Sequence, residues 1–155
     1  MRIAAAILFF LSACASGGGS GAVVDASQVG APFSWAGGGF TSRNTQIAPT
    51  EELIFIFENV SDRPQTAESL AIRQRNETNS PMLIESTSVR IGKMIEPGEE
   101  LEVKMLVRVT YLRSEPGVPL GFPRGLQLDV LLRHADGTTY RFPIELPLRT
   151  TITLP

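Results

Sequence analysis

His134 is the only imidazole in the chain, and it stands directly before Ala135-Asp136-Gly137. A catalytic His needs a nucleophile and an orienting acid brought in from separate segments. Asp136 lies too close in the same turn to act as an independent acid, and no Ser-His-Asp spacing is present, so His134 reads as a solvated turn residue. Exported copper carriers cluster Met with His, whereas Met82, Met94 and Met105 accompany this single His. Met105 falls on an apolar strand face and reads as core. The carboxylate pairs Glu51-Glu52 and Glu99-Glu100 hold the groups that glycoside hydrolysis uses. Neighbours on a strand point to opposite faces, however, so neither pair converges on a substrate and both read as solvated strand ends. Gly37-Gly38-Gly39 lacks the strand-turn-helix setting and the Lys-Ser/Thr ending of a phosphate cradle, and reads as a turn or bulge beside Trp35 and Phe40. These residues predict no enzyme, no metal site and no cofactor.

One further segment carries a different chemistry. Arg113 to Gly125 forms a 13-residue connection with three prolines and the apolar residues Val118, Leu120 and Phe122. Compact domains connect their elements with about four to six residues, and longer loops tend to be functional or disordered. Prolines lower the entropy lost on ordering, so such a loop can present apolar side chains to a partner. Val118, Leu120 and Phe122 are therefore candidate partner-binding residues; the alternative is that they fold back and plug one end of the domain.

The elements that must position these residues are strands. In Leu101 to Thr110, Leu101, Val103, Met105, Val107 and Val109 alternate with mostly polar residues, the period of a half-buried strand. Leu126 to Arg133 repeats the pattern, as do Tyr140, Phe142, Ile144, Leu146 and Leu148. Asp136-Gly137 between them suits a hairpin. Pro143 and Pro147 cannot donate to a ladder, so their strand should lie at an edge or turn its Pro side away from a partner. Leu53 to Phe57 is apolar on both faces, which predicts a strand covered on both sides or by a loop or partner. Weaker strands are expected at Phe33 to Phe40, Ser69 to Arg75 and Met82 to Ile91, and Glu96-Pro97-Gly98-Glu99 reads as a turn. No stretch holds helical spacing over three turns. The expected fold is all-β, an immunoglobulin-like two-sheet sandwich of about seven strands, with a small open β-barrel as the alternative.

Of 155 residues, 14 are Lys or Arg and 16 are Asp or Glu, for a net charge of −2. No cationic surplus exists to displace counterions, so nucleic acid is not an expected partner. With one Cys, no disulfide can form within the chain.

The N-terminus runs Met1-Arg2, then an apolar Ile3 to Leu11, then Ser12-Ala13-Cys14. This is the order of an export signal, too short for the roughly 20 residues of a spanning helix. Leu11-Ser12-Ala13-Cys14 resembles the lipobox of bacterial lipoproteins. The resemblance implies cleavage after Ala13 and a diacylglyceryl thioether on Cys14, often with acylation of the new amino group. Two or more acyl chains anchor stably where one does not. Ala15, rather than Asp, follows the Cys and resembles the outer-membrane-sorted type, which implies a lipid-anchored envelope protein on the outer membrane facing the periplasm. In such a protein the glycosylation sequons Asn59-Val60-Ser61 and Asn76-Glu77-Thr78 are accidental. Ala15 to Ala22 is a Gly/Ser linker; if Ala15 to Ala31 is all coil, its span is roughly 23 Å. The expected organisation is a signal peptide over 1–13, a lipidated flexible linker over 14–31, with Val23-Val24 as a possible short edge strand, and a β-sandwich over 32–155.

Phe55-Ile56-Phe57-Glu58-Asn59-Val60-Ser61-Asp62-Arg63-Pro64 and Ile95-Glu96-Pro97-Gly98-Glu99-Glu100 also resemble bacterial immunoglobulin-like domains, including the intracellular proteinase inhibitor family of bacilli. These short turn motifs bear on fold rather than function. The functional expectation is a membrane-anchored, non-enzymatic interaction or structural module whose partners are the membrane, through lipid on Cys14, and another envelope protein. The alternative is a small-ligand or inhibitor module, for which a deep apolar cleft between the sheets would be the mark, with a hydrolase third.

Overall fold

The computed structural model describes residues 21–41, 50–75, 82–111 and 125–149. Among them there is no helix, and nine strands run in chain order: β1 Val23–Asp25, β2 Phe33–Thr41, β3 Thr50–Asn59, β4 Gln65–Gln74, β5 Met82–Ile84, β6 Thr87–Ile95, β7 Glu100–Tyr111, β8 Gly125–His134 and β9 Thr139–Arg149. Seven have nine residues or more, while β1 and β5 have three. The strands form two packed sheets, β1-β9-β8-β4-β6 and β2-β3-β7-β5. With β2, β3, β4, β7, β8 and β9 taken as strands A, B, C, E, F and G, this is the A-B-E and G-F-C arrangement of an immunoglobulin-like sandwich. Among the described residues the two sheets share a ladder only where β2 meets β9 in parallel, at Phe40 with Leu148 and Thr41 with Arg149. On the opposite side no ladder joins β5 to β6 among the described residues, although the Ile84 N–H of β5 donates to Gln74 Oε1 of β4 at 2.8 Å, so the molecule is a half-closed sandwich rather than a barrel.

Alternation builds the core. Leu53, Phe55 and Phe57 of β3, Leu101, Val103, Met105, Val107 and Val109 of β7, Leu126, Leu128, Val130 and Leu132 of β8, and Phe142, Ile144 and Leu146 of β9 all face inward. The second face of β3 is less covered than its composition suggests, for Ile54 and Ile56 remain half-exposed. Phe57 from one sheet meets Phe142 from the other at 5.1 Å between ring centres, and Trp35 packs edge-on against Phe57 at 5.7 Å. The register skips Ala36 between Trp35 and Gly37. This bulge lets odd-numbered Phe33 and Trp35 and even-numbered Phe40 all point into the core. Gly38 is required beside it: a Cβ there would run into the Ile54 carbonyl and come within 2.6 Å of the Trp35 ring. A second bulge, between Ala67 and Ser69, does the same for Ala67 and Leu70.

β9 is not an edge strand; it runs between β8 and the parallel β1 and β2. The His134 N–H donates to the Thr138 carbonyl (2.8 Å), and counting alternate pairs from there turns the backbone groups of Arg141, Pro143, Glu145 and Pro147 away from β8. On that far side β1 ends at Asp25 opposite Arg141 and β2 arrives only at Leu148. Both prolines thus occupy the stretch where no donor is wanted. β1 itself lies inside the segment read from sequence as linker, and it joins the fold through Asp25, whose carboxylate accepts Arg141 Nη2 at 2.9 Å and Ser27 N–H at 3.0 Å. With the Ser27 hydroxyl as the largest influence and Arg141 next, that carboxyl is lowered to about 2.

Candidate functional site

The turn motifs that were separate in sequence meet in space. Asn59, at the end of β3, is fully buried. Its Nδ2 donates to the carbonyls of Arg63 (2.8 Å) and Ile95 (2.9 Å), and its Oδ1 accepts the Ser61 N–H (3.0 Å) and hydroxyl (2.7 Å). Its backbone N–H donates to the Glu99 carbonyl (3.1 Å) and its carbonyl accepts the Gly98 N–H (2.8 Å). Gly98 has φ 75°, and the Glu99 N–H returns to the Glu96 carbonyl at 2.9 Å, which makes Glu96-Pro97-Gly98-Glu99 a type II turn. The Glu99 carboxylate accepts the Glu96 N–H and binds Lys93, and these two contacts, in that order, lower its pKa. Every polar group of Asn59 is spent on architecture. The other sequon asparagine, Asn76, lies outside the described residues.

His134 is not the solvated residue that its turn position suggested. Its side chain is only 15% exposed. Nε2 lies 2.7 Å from Gln65 Oε1, and Nδ1 lies 3.0 Å from Asp136 Oδ1 and 3.2 Å from the Asp136 N–H. Gln65 in turn donates to the Ser61 hydroxyl at 3.0 Å. Burial follows from chain geometry: β4 pairs directly with β8, and Gln65 at the start of β4 closes over the ring at the end of β8. Both ring nitrogens are thus engaged with an amide and a turn carboxylate, which links the β3–β4 loop to the β8–β9 hairpin. The Asp136 carboxyl is lowered, chiefly by the Thr138 N–H and secondarily by His134.

The acidic pairs divide as alternation requires, but Glu51 is not a solvated end: it is fully buried, whereas Glu52 is half-exposed. Inward parity outweighs its charge, because it shares the face of Leu53, Phe55 and Phe57. Met105 is in the core and Met94 is 59% exposed. Among the described residues no cluster of His, Cys, Asp or Glu could hold a metal ion. An open cleft lies at the margin of β5 and β7, beside Ile84, Glu85 and Arg108, and the buried apolar side chains of both sheets pack into one core between them. Cys14, Val118, Leu120 and Phe122 lie outside the described residues.

The feature that sequence reading did not find is the free side of β6. Met82 to Ile91 read as one strand, yet the chain breaks at Glu85 and Ser86. β5 then joins β7 in one sheet, and β6 joins β4 in the other. β6 pairs with β4 alone, which leaves nine residues of sheet edge without a neighbour among the described residues. Thr87, Val89 and Ile91 on its inner face are half-buried, with Val89 and Ile91 packed against the core; Ser88 and Arg90 on its outer face are exposed. Gly92 has φ 61° at a register shift, which ends the regular stretch. Arg90 lies in a cross-strand row with Ser69 and Arg133. Arg133 has Glu68 at 3.6 Å, and no acidic side chain among the described residues pairs with Arg90.

No protein-family model matches the sequence, and no curated protein sequence does. Among solved structures the chain is similar to a FixG-related protein from Vibrio parahaemolyticus, at 12% identity and a TM-score of 0.37 over 77% of this chain and 99% of that one. It is also similar to part of the alkylpurine DNA glycosylase AlkC of Pseudomonas fluorescens bound to DNA containing an abasic site analog, at 15% identity and a TM-score of 0.36 over 77% of this chain and 31% of that one. Likenesses this distant carry nothing about binding or activity over to this chain.

Proposed function

We propose that this chain is a lipid-anchored protein of the bacterial envelope whose β-sandwich works by docking onto another envelope protein rather than by catalysis. The anchor rests on Leu11-Ser12-Ala13-Cys14 and the Gly/Ser-rich stretch after it. The docking role rests on one observation, the nine-residue open edge of β6. Strand edges take up extended segments by main-chain hydrogen bonding, and proteins that do not use an edge cover it or keep it short. Here β1 and β5 are three residues long and β9 carries prolines on its unpaired stretch; β2 over Phe33 to Gly39 and β7 over Glu100 to Val107 also have one side without a ladder, but β6 is the long strand left unpaired on one side along its whole length among the described residues. Outer-membrane placement facing the periplasm is what the resemblance of Ala15 after the Cys to the outer-membrane-sorted type implies.

Mass spectrometry of the mature N-terminal peptide tests the anchor: a diacylated Cys14 is expected, and an unmodified Cys14 or a retained Met1 overturns it. A photo-crosslinking residue at Ser88, in intact cells, tests the docking role. One discrete adduct, absent when the same residue is placed at exposed Glu102 of β7, is the expected result. The loop over 113–125 is the second docking candidate: replacing Val118, Leu120 and Phe122 together by Ser should abolish partner co-purification with little change in thermal midpoint, and loss of folding would make those residues core.

A further inference from the structure

Taking the docking role as given, we infer that β6 accepts an extended segment in which apolar residues alternate with Asp or Glu. A strand laid along Thr87 to Ile91 inherits the alternation of β6. Its residues opposite Val89 and Ile91 enter the β5–β6 side of the sandwich, where both side chains are half-buried against the core and, among the described residues, β5 extends the facing sheet beyond β7 only at Val109 to Tyr111. Apolar side chains there complete the core at a cross-strand separation of about 5 Å. Its residues opposite Ser88 and Arg90 lie on the outer face, at the end of the row Arg133, Ser69, Arg90. That row holds two guanidinium groups, and its edge member has no carboxylate beside it among the described residues. An incoming carboxylate supplies one, and an incoming Lys or Arg meets like charge.

The same row argues against a second copy of this chain as the occupant. Pairing β6 with β6 in antiparallel fashion brings two copies of Arg90 onto the same face of one ladder, where like charges on facing strands repel. Gly92 also bounds the usable edge, since the bulge breaks the regular ladder after Ile91. The occupant is thus a short segment, about five residues in register, from a different protein.

The test uses the full chain with Cys14→Ser and two eight-residue peptides, one alternating Val with Glu and one alternating Val with Lys. The Val/Glu peptide should slow amide hydrogen exchange across Thr87–Ile91 and bind at least about tenfold more tightly than the Val/Lys peptide. Arg90→Glu should reverse that order, and Arg90→Gln should erase it while leaving the thermal midpoint unchanged. Equal binding of the two peptides, protection that maps elsewhere, or no binding overturns the inference. If the peptides fail while Ser88 still crosslinks to a discrete neighbour in cells, the docking role stands and the alternating acidic occupant does not.

Discussion

Asn59 shows how much one side chain can hold when its donors and acceptors are all matched. Truncation to Ala strands the carbonyls of Arg63 and Ile95 and the Ser61 N–H around a small void. A buried group left unsatisfied costs about 1–3 kcal/mol, and relaxation of the exposed turn recovers part of it. Asn59→Ala should therefore lower unfolding free energy by about 3 kcal/mol in urea titrations. Asn59→Asp should cost more, because a carboxylate then faces two carbonyls. Gly38→Ala is a steric case: its methyl group meets the Ile54 backbone, which cannot step aside without breaking the β2–β3 ladder. A loss of about 2 kcal/mol or more is expected from the same titration, in the range of overpacked sites. The turn chemistry of Asn59-x-Ser61 and Pro97-Gly98-Glu99 was legible in the sequence. That Asn59 grips Ile95, 36 residues on, was not, because the contact exists only once β3, β6 and β7 are placed in two sheets.

Elements with unbroken alternation were readable because parity alone reports burial. Leu101 to Thr110, Leu126 to Arg133 and Tyr140 to Leu148 fall in β7, β8 and β9, and their alternating residues from Leu101 to Val109, from Leu126 to Leu132 and from Phe142 to Leu146 are buried as the spacing implies. β2 and β4 were fainter because each changes parity at a bulge, so that no single face collects all the apolar residues. β5 and β6 were fused because nothing between Leu83 and Val89 signals a change of sheet, and with that fusion the open edge disappeared from view. The prolines of β9 give a prediction at this scale. Pro143→Val restores an N–H that points away from β8 into an unpaired stretch. Stability should change by less than about 0.5 kcal/mol, as for other surface substitutions. Self-association during refolding, followed by light scattering, should increase, because the unpaired stretch of β9 between β1 and β2 gains a free donor. Unchanged scattering would mean that β9 is shielded there by other parts of the chain.

For the molecule as a whole, three carboxylates act as fasteners: Asp25 holds β1 to β9, Glu99 holds the β6–β7 turn and Asp136 holds the β8–β9 hairpin. Each has a pKa lowered by folding, so its contribution is fully present above the unfolded value near 4 and is lost as pH falls through the lower folded value. Thermal midpoints should be level from pH 7 to about 5 and then decline, with the Asp25 part continuing to fall until about pH 2. Asp25→Asn should flatten the acid limb below about pH 4; an unchanged limb would show that β1 does not report on the global transition. The docking of β1 also sets what happens under load. A pull applied N-terminal to Gly21 is delivered first to a three-residue parallel ladder and one ion pair, well outside the aromatic packing around Phe57. Those few bonds should yield before the sheets separate, so that single-molecule pulling from the N-terminus is expected to release β1 in a first low-force step while the rest of the domain keeps its shape.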